Sequence, residues 1–245
     1  MKLYLCNYSD ENYRANQQIQ IERAVATGDF DLIIPFQREW LVTTDFYKGN
    51  RDILDRERLA GYGLWKPYIC LEALKQMDEG DILLYMDCGD IPHKGIRNFV
   101  FENIGSHDFI FITTSLPQKN WTRRDTFVYM GCDSERYWNC QQMEDGVIAI
   151  RKSDHSFRFL EEWLFYCKDK RIITDERNVC GLPNLPGFVD NRFDQSIVSN
   201  LVERYKINVN NSMRQFLSIN LLHHKDGIQA TNGMAKWDEF GNMIK

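Results

Sequence analysis

The sequence predicts an α/β fold with a mostly parallel central sheet that is covered by helices. Short apolar segments typical of strands alternate with longer segments whose apolar residues recur at helical spacing. The segment 82–86 is apolar at every position, which is typical of a strand buried on both faces of a parallel sheet. The 245 residues fit a single domain, 1–245, because no repeat, low-complexity tract or linker divides the chain.

The amino-terminal part predicts a strand, a helix and a second strand, which together make a β-α-β unit. Leu3 to Asn7 is a short apolar run that ends in a polar loop, and Tyr13 to Ala26 predicts the helix. Phe30 to Pro35 predicts the second strand. Residues 39–59 are mixed and polar, so the sequence predicts only loop and short helix there.

A sharper pattern begins at Gly61, where two glycines mark a turn ahead of a helix. Pro67 suits the first helical position, because the N–H that proline lacks would have no partner there. The helix is predicted to run to about Met77. The apolar strand follows, and it runs directly into Asp87 and Asp90.

The second half of the chain continues the alternation of strands and helices. Phe109 to Thr113 and Val147 to Ile150 predict strands, and Ser156 to Cys167 predicts an amphipathic helix. A loop rich in glycine, proline and asparagine spans 180–191, and a last helix is predicted from near Asp194.

Composition and charge exclude several classes of function. The 30 basic and 35 acidic residues give a net charge of −5, so the sequence predicts no nucleic-acid binding. No apolar run is as long as a membrane span, and we expect at most peripheral membrane contact. The 7 cysteines include no CxxC pair and predict neither a zinc ribbon nor a disulfide framework. The scattered thiols and the polar amino terminus predict a cytoplasmic protein.

Asp87 and Asp90 follow the apolar strand at the place where α/β proteins bind ligands. Carboxylates in such a turn supply the hard oxygen ligands that a divalent cation beside a diphosphate requires. Aspartate and glycine are also common turn residues, so the alternative is that Asp87 caps a turn and Asp90 is solvated. The Asp-x-x-Asp spacing alone does not distinguish these two interpretations.

Five segments, taken in order, resemble the central part of GT-A-fold glycosyltransferases and are most similar to bacterial and viral polysaccharide-type transferases. They are Gly61–Tyr68 (GYGLWKPY), Gly80–Asp90 (GDILLYMDCGD), Lys119–Asp125 (KNWTRRD), Gln142–Ile150 (QMEDGVIAI) and Arg192–Ser199 (RFDQSIVS). The resemblance implies a nucleotide-binding α/β/α sandwich. It also implies an enzyme that moves a sugar from a nucleoside-diphosphate sugar, of UDP or GDP type, to a glycan or glycolipid acceptor.

In the GT-A pattern an Asp-x-Asp motif binds Mn²⁺ or Mg²⁺, and the resemblance assigns this role to Asp87. The chain departs from the pattern, because Gly89 stands at the third position and the second acid, Asp90, comes one residue later. Some of these enzymes add a histidine near the carboxyl terminus as a metal ligand, and His223 or His224 matches that segment. A solvated pair of histidines is the alternative interpretation.

Cationic and aromatic side chains are candidates for binding the donor. Lys66, Arg123 and Arg124 can offset the charge that develops on a departing nucleoside diphosphate. The alternative for each is an exposed cation without a ligand. By resemblance, Asn7 and Tyr8 at the end of the first strand lie where the nucleotide base binds.

Four further residues are candidates for the chemistry at the sugar and at the acceptor. The resemblance places Asp194 and Gln195 beside the transferring sugar, and it places Glu144 and Asp145 near the acceptor, at the start of a strand. An inverting enzyme needs a carboxylate base, whereas a retaining enzyme needs a nucleophile or polarising group on the other face of the donor. Asp194 is also a candidate N-cap of the last helix. Both stereochemical outcomes fit these residues.

Two other functions are alternatives to sugar transfer. A Mg²⁺-dependent phosphohydrolase also places paired aspartates after a strand, although such enzymes carry them on the first strand. A non-catalytic module that binds nucleotide or sugar is the second alternative, because the irregular Asp-x-x-Asp spacing is compatible with a lost metal site.

Overall fold

The computed structural model describes residues 1–219, 236–237 and 243–244. Its strands are β1 (Leu3–Ser9), β2 (Leu32–Gln37), β3 (Ile82–Met86), β4 (Asp90–Pro92), β5 (Phe109–Pro117), β6 (Gln141–Arg151), β7 (Leu217–Ile219), β8 (Lys236–Trp237) and β9 (Met243–Ile244). The central sheet has five strands in the order β2-β1-β3-β6-β5. Two small sheets pair β4 with β7 and β8 with β9.

The helices lie between the strands and after β6. In chain order they are α1 (Arg14–Thr27), α2 (Arg38–Leu41), α3 (Asp45–Gly49), α4 (Arg51–Leu54), α5 (Leu59–Tyr62), α6 (Trp65–Leu74), α7 (Ile96–Ile104), α8 (Arg124–Tyr129), α9 (Glu135–Trp138), α10 (Asp154–Cys167), α11 (Lys170–Ile173) and α12 (Phe193–Tyr205). Two 3₁₀ turns, Gln118–Asn120 and Asn211–Phe216, complete the described helical elements. The short helices predicted within 39–59 are present as α2, α3 and α4.

The central sheet is mostly parallel, as the sequence predicts. β1 pairs in parallel with β2 and β3, whereas β6 runs antiparallel to both β3 and β5. Four strands of this sheet therefore point the same way, and β6 is reversed. Because of this reversal, the carboxyl end of β3 and the first half of β6 lie at the same edge of the sheet.

Apolar side chains pack on both faces of the central sheet and make three layers, α/β/α. On one face Tyr85 and Ile148 belong to a core that includes residues of α6, α10 and α12. On the other face Leu84 and Ala149 belong to a core with residues of α1 and α7. Every residue of β3 is buried, which confirms the prediction of a strand covered on both faces.

The start of β6 and the N-cap of α12 differ from the sequence prediction. β6 starts at Gln141 rather than at Val147, so Glu144 and Asp145 lie inside the strand and not at its start. α12 starts at Phe193 with Arg192 as its N-cap, so the N-cap interpretation of Asp194 is wrong. These segments contain buried polar residues, including Asp145 and Asp194, which hide the apolar periodicity on which the prediction depends.

The start of α6 also differs from its prediction. The helix begins at Trp65 and ends at Leu74, so Pro67 is its third residue rather than its first. Proline is tolerated there because the N–H groups of a helix's first turn have no partner within the helix. The Lys66 N–H donates to the Gly63 carbonyl at 2.8 Å, so the preceding turn sets where the helix begins.

Composition also bears on disulfide bonds and on membrane-spanning helices. All seven cysteines lie among them, and no disulfide joins any two. Within the same residues, no helix combines the length and the hydropathy of a membrane span.

Candidate active site

Four charged residues, here called the Lys66 cluster, meet at the edge of the sheet where β3 ends: Lys66, Asp87, Asp145 and Asp194. The Lys66 Nζ lies 2.9 Å from Asp145 Oδ2, 3.3 Å from Asp194 Oδ2 and 3.6 Å from Asp87 Oδ1. Side-chain exposure is 6% for Lys66, 9% for Asp145 and 4% for Asp194, but 41% for Asp87. Asp87 therefore faces solvent and the other three side chains lie behind it. Lys66 contacts carboxylates in a buried position, whereas the sequence predicts an accessible cation for the donor phosphates.

The fold brings the Lys66 cluster together from four separate elements. Lys66 is on α6, Asp87 follows β3, Asp145 is in β6 and Asp194 is the second residue of α12. The reversed direction of β6 puts Asp145 beside the end of β3, where the Asp87 N–H donates to the Gly146 carbonyl at 2.7 Å. The sequence names all four residues in separate roles, and the structure places them in one ionic group.

The turn before α6 has an unusual backbone. All five residues from Leu59 to Gly63 have positive φ, between 49° and 98°. For a residue other than glycine this region costs about 1–2 kcal/mol. A Cβ on Gly63 would lie 2.2 Å from the Asp194 Cγ, so only glycine fits at this close approach. The left-handed turn and Gly63 therefore bring the start of α6, and with it Lys66, against Asp194.

One ammonium faces three carboxyl groups in the Lys66 cluster, and the pKa shifts follow from that imbalance. Burial opposes the charged form of Lys66, but Asp145, Asp194 and Asp87 together raise its pKa well above the ordinary value. Burial, and then the nearby Asp145 carboxylate, raise the pKa of Asp194 well above its usual range. Although the Asp87 side chain is 41% exposed, desolvation by the surrounding protein, and then the Asp145 carboxylate, raise its pKa, and Lys66 offsets only part of this effect. An excess of acid over cations therefore marks this edge of the sheet.

A network of amide side chains holds the turn from Asp87 to Asp90. The Gln20 Nε2 donates to the carbonyls of Asp87 and Asp90, both at 2.7 Å, and the Gln20 Oε1 accepts from the Asn7 Nδ2 at 2.7 Å. Asn7 has no exposed surface, so it supports this turn, whereas the sequence predicts a contact with the nucleotide base. Gln20 lies in no recognisable motif, and only its buried position on α1 identifies its role.

Asp87 and Asp90 each direct one carboxylate oxygen toward Gly146. A Cβ on Gly146 would lie 3.2 Å from Asp87 Oδ2 and 3.5 Å from Asp90 Oδ2. The other oxygen of Asp87, Oδ1, accepts a hydrogen bond from the Tyr85 hydroxyl and faces the Lys66 ammonium. The two aspartates therefore present hard oxygen donors beside one glycine, and this donor set fits a divalent cation.

The charges around Asp90 also favour the binding of a divalent cation. Burial, and then the carboxylates of Asp87 and Glu144, raise the pKa of Asp90 to about 7. A cation held between such carboxylates would relieve their repulsion. Among the described residues, no group of three or more His, Cys, Asp or Glu side chains is arranged to hold a metal ion. The predicted further ligand, His223 or His224, lies outside the described residues.

Glu144 makes its ion pair outside the Lys66 cluster. Its Oε2 lies 2.7 Å from the Arg214 NH1, and the Arg214 NH2 donates to the Thr113 carbonyl at 2.8 Å. The Glu144 side chain is 35% exposed and therefore accessible to a ligand. Arg214 comes from the 3₁₀ turn Asn211–Phe216, outside every motif, so sequence reasoning missed it.

Gln195 joins the start of α12 to β6. Its Nε2 donates to the Gln142 Oε1 at 2.9 Å, and the Gln142 Nε2 donates to the Trp121 carbonyl at 2.9 Å. Gln142 is buried, while Gln195 is partly exposed. As the residue after Asp194, Gln195 borders the Lys66 cluster and is accessible to a ligand.

The two arginines predicted to contact the donor phosphates are used within the protein. The Arg123 NH1 donates to the Thr174 carbonyl at 2.5 Å, and its NH2 pairs with the buried Asp125 at 3.3 Å. Arg124 pairs with Asp133 at 2.9 Å. Because Arg123 is only 3% exposed, its contacts hold the loop that follows α11.

A cavity of about 430 Å³ lies next to the end of β1. Its lining comes from the end of β1 and from the region of α2, α4 and α5, and consists of Asp10, Asn12, Arg38, Leu54, Asp55, Arg56, Glu57 and Ala60. Tyr8, near the end of β1, stacks on Trp65 with ring centroids 4.1 Å apart. The Cys88 Sγ donates to the Tyr8 carbonyl at 3.0 Å, which connects this end of β1 to the Asp87–Asp90 turn.

The chain matches no protein-family model and no curated protein. Its fold is similar to a glycosyltransferase involved in the glycosylation of the major capsid of PBCV-1, with 10% identity over 70% of this chain and a TM-score of 0.41. The match spans 66% of that protein, just under two thirds. The galactosyltransferase LgtC, in complex with donor and acceptor sugar analogues, is 13% identical over 85% of this chain and 73% of its own, with a TM-score of 0.47. Mouse xyloside xylosyltransferase 1 is 11% identical over 100% of this chain and 95% of its own, with a TM-score of 0.48.

Proposed function

We propose that this chain is a glycosyltransferase that moves a sugar from a nucleoside-diphosphate sugar, of UDP or GDP type, to a glycan or glycolipid acceptor. The observation that carries the proposal is the Lys66 cluster beside the Asp87–Asp90 turn, at the edge where open α/β sheets bind ligands. An acidic edge supported by a buried ammonium suits a diphosphate that arrives with a divalent cation.

The cavity beside β1 is the proposed site of the nucleoside. Its volume of about 430 Å³ is within the range of small-molecule sites. Asp10 and Asn12 in its lining offer hydrogen-bond partners for a ribose or a base, and the lining also contains the Arg38–Asp55 ion pair, at 2.8 Å. Tyr8, which the sequence predicts to contact the base, is buried, stacks on Trp65 and is not part of this lining.

Mn²⁺ or Mg²⁺ is the proposed cofactor, and Asp87 and Asp90 are the residues that would hold it. When bound, the cation offsets the negative charge that develops on the departing nucleoside diphosphate. His223 or His224 is the proposed additional protein ligand.

The buried members of the Lys66 cluster are proposed to hold Asp87 in position. Lys66 faces Asp87 Oδ1, which leaves Oδ2 on the side of Asp90. The raised pKa keeps Lys66 protonated, so it acts as a fixed charge and not as a base. Asp145 and Asp194, at 9% and 4% side-chain exposure, belong to this support.

Glu144 and Gln195 are the proposed groups on the substrate side. Glu144 is 35% exposed and held by Arg214, so it is placed to accept the proton of an acceptor hydroxyl in an inverting reaction. Gln195 is partly exposed beside Asp194 and offers an amide to the hydroxyl groups of the transferring sugar.

The contacts of Asp87 do not favour the phosphohydrolase alternative. That chemistry needs an aspartate oxygen that is free to attack phosphorus. Asp87 Oδ1 is engaged by Tyr85 and Lys66, and Oδ2 lies toward Asp90. These contacts suit a carboxylate that holds a cation better than one that attacks a phosphate.

A thermal-shift titration tests the proposal. UDP, GDP and their sugar conjugates are added with and without Mn²⁺, because a ligand that binds the folded state raises the Tm by mass action. We expect one nucleotide to raise the Tm when Mn²⁺ is present, and we expect Asp90→Asn to remove that dependence on metal. Asp78→Asn is the matched control at a side chain that is 83% exposed, and it should leave the shift unchanged.

Two results would contradict the proposal. Hydrolysis of aryl phosphates without any nucleotide binding would favour the phosphohydrolase. Nucleotide binding without donor hydrolysis, and without transfer to any acceptor, would favour the non-catalytic module.

A further inference from the structure

Arg192 and Trp121 form a cation–aromatic pair at the rim of the candidate active site. The Arg192 guanidinium lies over the Trp121 ring, with its Cζ 4.6 Å from the ring centroid. Both side chains are partly exposed. Arg192 is two residues before Asp194, and the carboxylate of Asp145 acts on its guanidinium. The pair therefore borders the Lys66 cluster on the side of α12.

Arg192 differs from the other half-buried and buried cations around this site. Lys66 faces three carboxylates, Arg123 pairs with Asp125, and Arg58 pairs with Asp175 and Asp190. Among the described residues, Arg192 makes no ion pair, and its buried Nε has no hydrogen-bond partner. A half-buried guanidinium without a carboxylate partner is costly, unless a ligand supplies the missing acceptor.

Burial also disfavours the charged guanidinium of Arg192, which nevertheless stays protonated. It lowers the pKa of Arg192, and the carboxylates of Asp190 and Asp145 oppose that effect. Asp190 is nevertheless committed to Arg58, and Asp145 to Lys66. The guanidinium is thus held near acids that are already paired with other cations.

The backbone holds this pair in a fixed place. The Arg192 N–H and the Ser196 hydroxyl donate to the Trp121 carbonyl, at 3.1 Å and 2.8 Å. Phe193 has φ of 52°, and its buried ring is packed by Tyr62 and by the Arg58 guanidinium. Strained backbone of this kind is maintained only where surrounding contacts enforce it, and it is concentrated at functional sites.

We propose that Arg192 and Trp121 form a subsite that binds an anionic group, a carboxylate or a phosphate, carried by the sugar of a substrate. This inference rests on the proposed function and specifies the class of sugar. The planar guanidinium matches carboxylate and phosphate oxygens in a two-point contact, and an indole ring is a stacking surface for the apolar face of a sugar. The donor diphosphate is proposed to bind at other residues, Asp87 and Asp90.

Isothermal titration calorimetry with matched sugars tests this subsite on the full chain. The probes are glucuronate and glucose 6-phosphate, each compared with glucose. We expect at least one anionic sugar to bind about tenfold or more tightly than glucose, the gain typical of a hydrogen bond to a charged group. Because the protein has a net charge of −5, nonspecific attraction of anions does not account for such a preference. Preference for glucuronate identifies a carboxylate, and preference for glucose 6-phosphate identifies a phosphate.

Variants of Arg192 test whether this side chain causes the preference for anionic sugars. Arg192→Gln should remove the preference, while Arg192→Lys, which keeps the charge but not the planar fork, should retain part of it. Arg158→Gln, at an exposed arginine of α10, is the matched control and should change nothing. Thermal unfolding of each variant confirms that it is folded before binding is measured.

The inference is overturned if anionic and neutral sugars bind equally, including the case in which neither binds. It is also overturned if Arg192→Gln weakens the binding of UDP or GDP alone and leaves the sugar preference intact, because Arg192 would then contact the donor diphosphate. The proposed function is tested separately by metal-dependent nucleotide binding. A failure of nucleotide binding therefore leaves the sugar preference measurable.

Discussion

Two ionic groups in this protein each combine one buried cation with aspartates, and they differ in charge balance. Arg123 and Asp125 form a balanced group of one cation and one acid, with side-chain exposures of 3% and 0%. The Asp125 carboxylate accepts from the N–H groups of Val179 and Cys180, and Arg123 donates to the Thr174 carbonyl. Each charge therefore has a protein partner, and the group fastens the loop after α11 to the start of α8.

The Lys66 cluster sets one cation against three acids. The most exposed of these acids is Asp87, at 41%, and its Oδ2 lies beside Gly146, as does Oδ2 of Asp90. The pKa of Asp90 is raised to about 7, chiefly by burial. A balanced group is neutralised by its own members. Where acids are in excess, the repulsion between the carboxylates is reduced when a cation binds. The difference supports the proposal that the Lys66 cluster takes part in ligand binding, whereas the Arg123–Asp125 group stabilises the fold.

Replacement of Lys66, the one cation of the Lys66 cluster, is expected to have the largest effect on stability. Lys66→Met leaves three carboxyl groups without a counter-charge, so we expect a loss of about 3–5 kcal/mol in the free energy of unfolding. Urea denaturation measures this loss. Lys75→Met, at a lysine with 59% side-chain exposure just after α6, is the control and should change stability by less than about 0.5 kcal/mol. Similar losses in the two variants would contradict the central role of Lys66.

The approach of the left-handed turn to Asp194 is tested by glycine substitutions. Gly63→Ala places a Cβ 2.2 Å from the Asp194 Cγ at a φ of +77°, so we expect a loss of about 3 kcal/mol. Gly28→Ala has a similar φ of +70° and nothing within 4 Å, so backbone strain alone should cost about 1 kcal/mol. Thermal unfolding compares the two. Equal losses would mean that the contact with Asp194 is unimportant.

Asp125→Asn tests the structural group. The amide keeps one acceptor but loses the charge, and we expect a loss of about 2 kcal/mol in stability. Hydrogen exchange should become faster at the amides of Val179 and Cys180, because these donate to Asp125. Nucleotide binding should not change, and its loss would show that the two groups are not separate in function.

Asp194→Asn is expected to have the smallest effect on stability, about 1 kcal/mol. Burial and Asp145 raise the pKa of Asp194, which favours the protonated carboxyl group, and an amide resembles that form. Asp145→Asn should cost more, about 3 kcal/mol, because Asp145 lies closest to the Lys66 ammonium, at 2.9 Å. Chemical denaturation of both variants gives the order, and a reversed order would contradict this account of the cluster.

The sequence predicted the members of the Lys66 cluster better than it predicted their roles. Lys66, Asp87, Asp145 and Asp194 lie in segments whose order resembles that of a known fold, so each could be named. Gln20 and Arg214 lie outside every recognised segment, and Arg192, although it begins one of them, carries no predicted role, because amides and arginines on helices and turns occur throughout any surface. Their importance comes from contacts with residues 67 to 70 positions away for Gln20, and 101 positions away for Arg214, which no local pattern contains.

The sequence by itself determined the alternation of strands and helices, the fully apolar strand β3 and the glycines that permit a left-handed turn before α6. These features depend on residues close together in the chain, through side-chain periodicity and backbone sterics. Only the tertiary structure decided that β6 runs against β3, that Lys66 is buried and that Asp87 faces solvent. Exposure and charge balance depend on which distant elements pack together, so they are set by the fold as a whole.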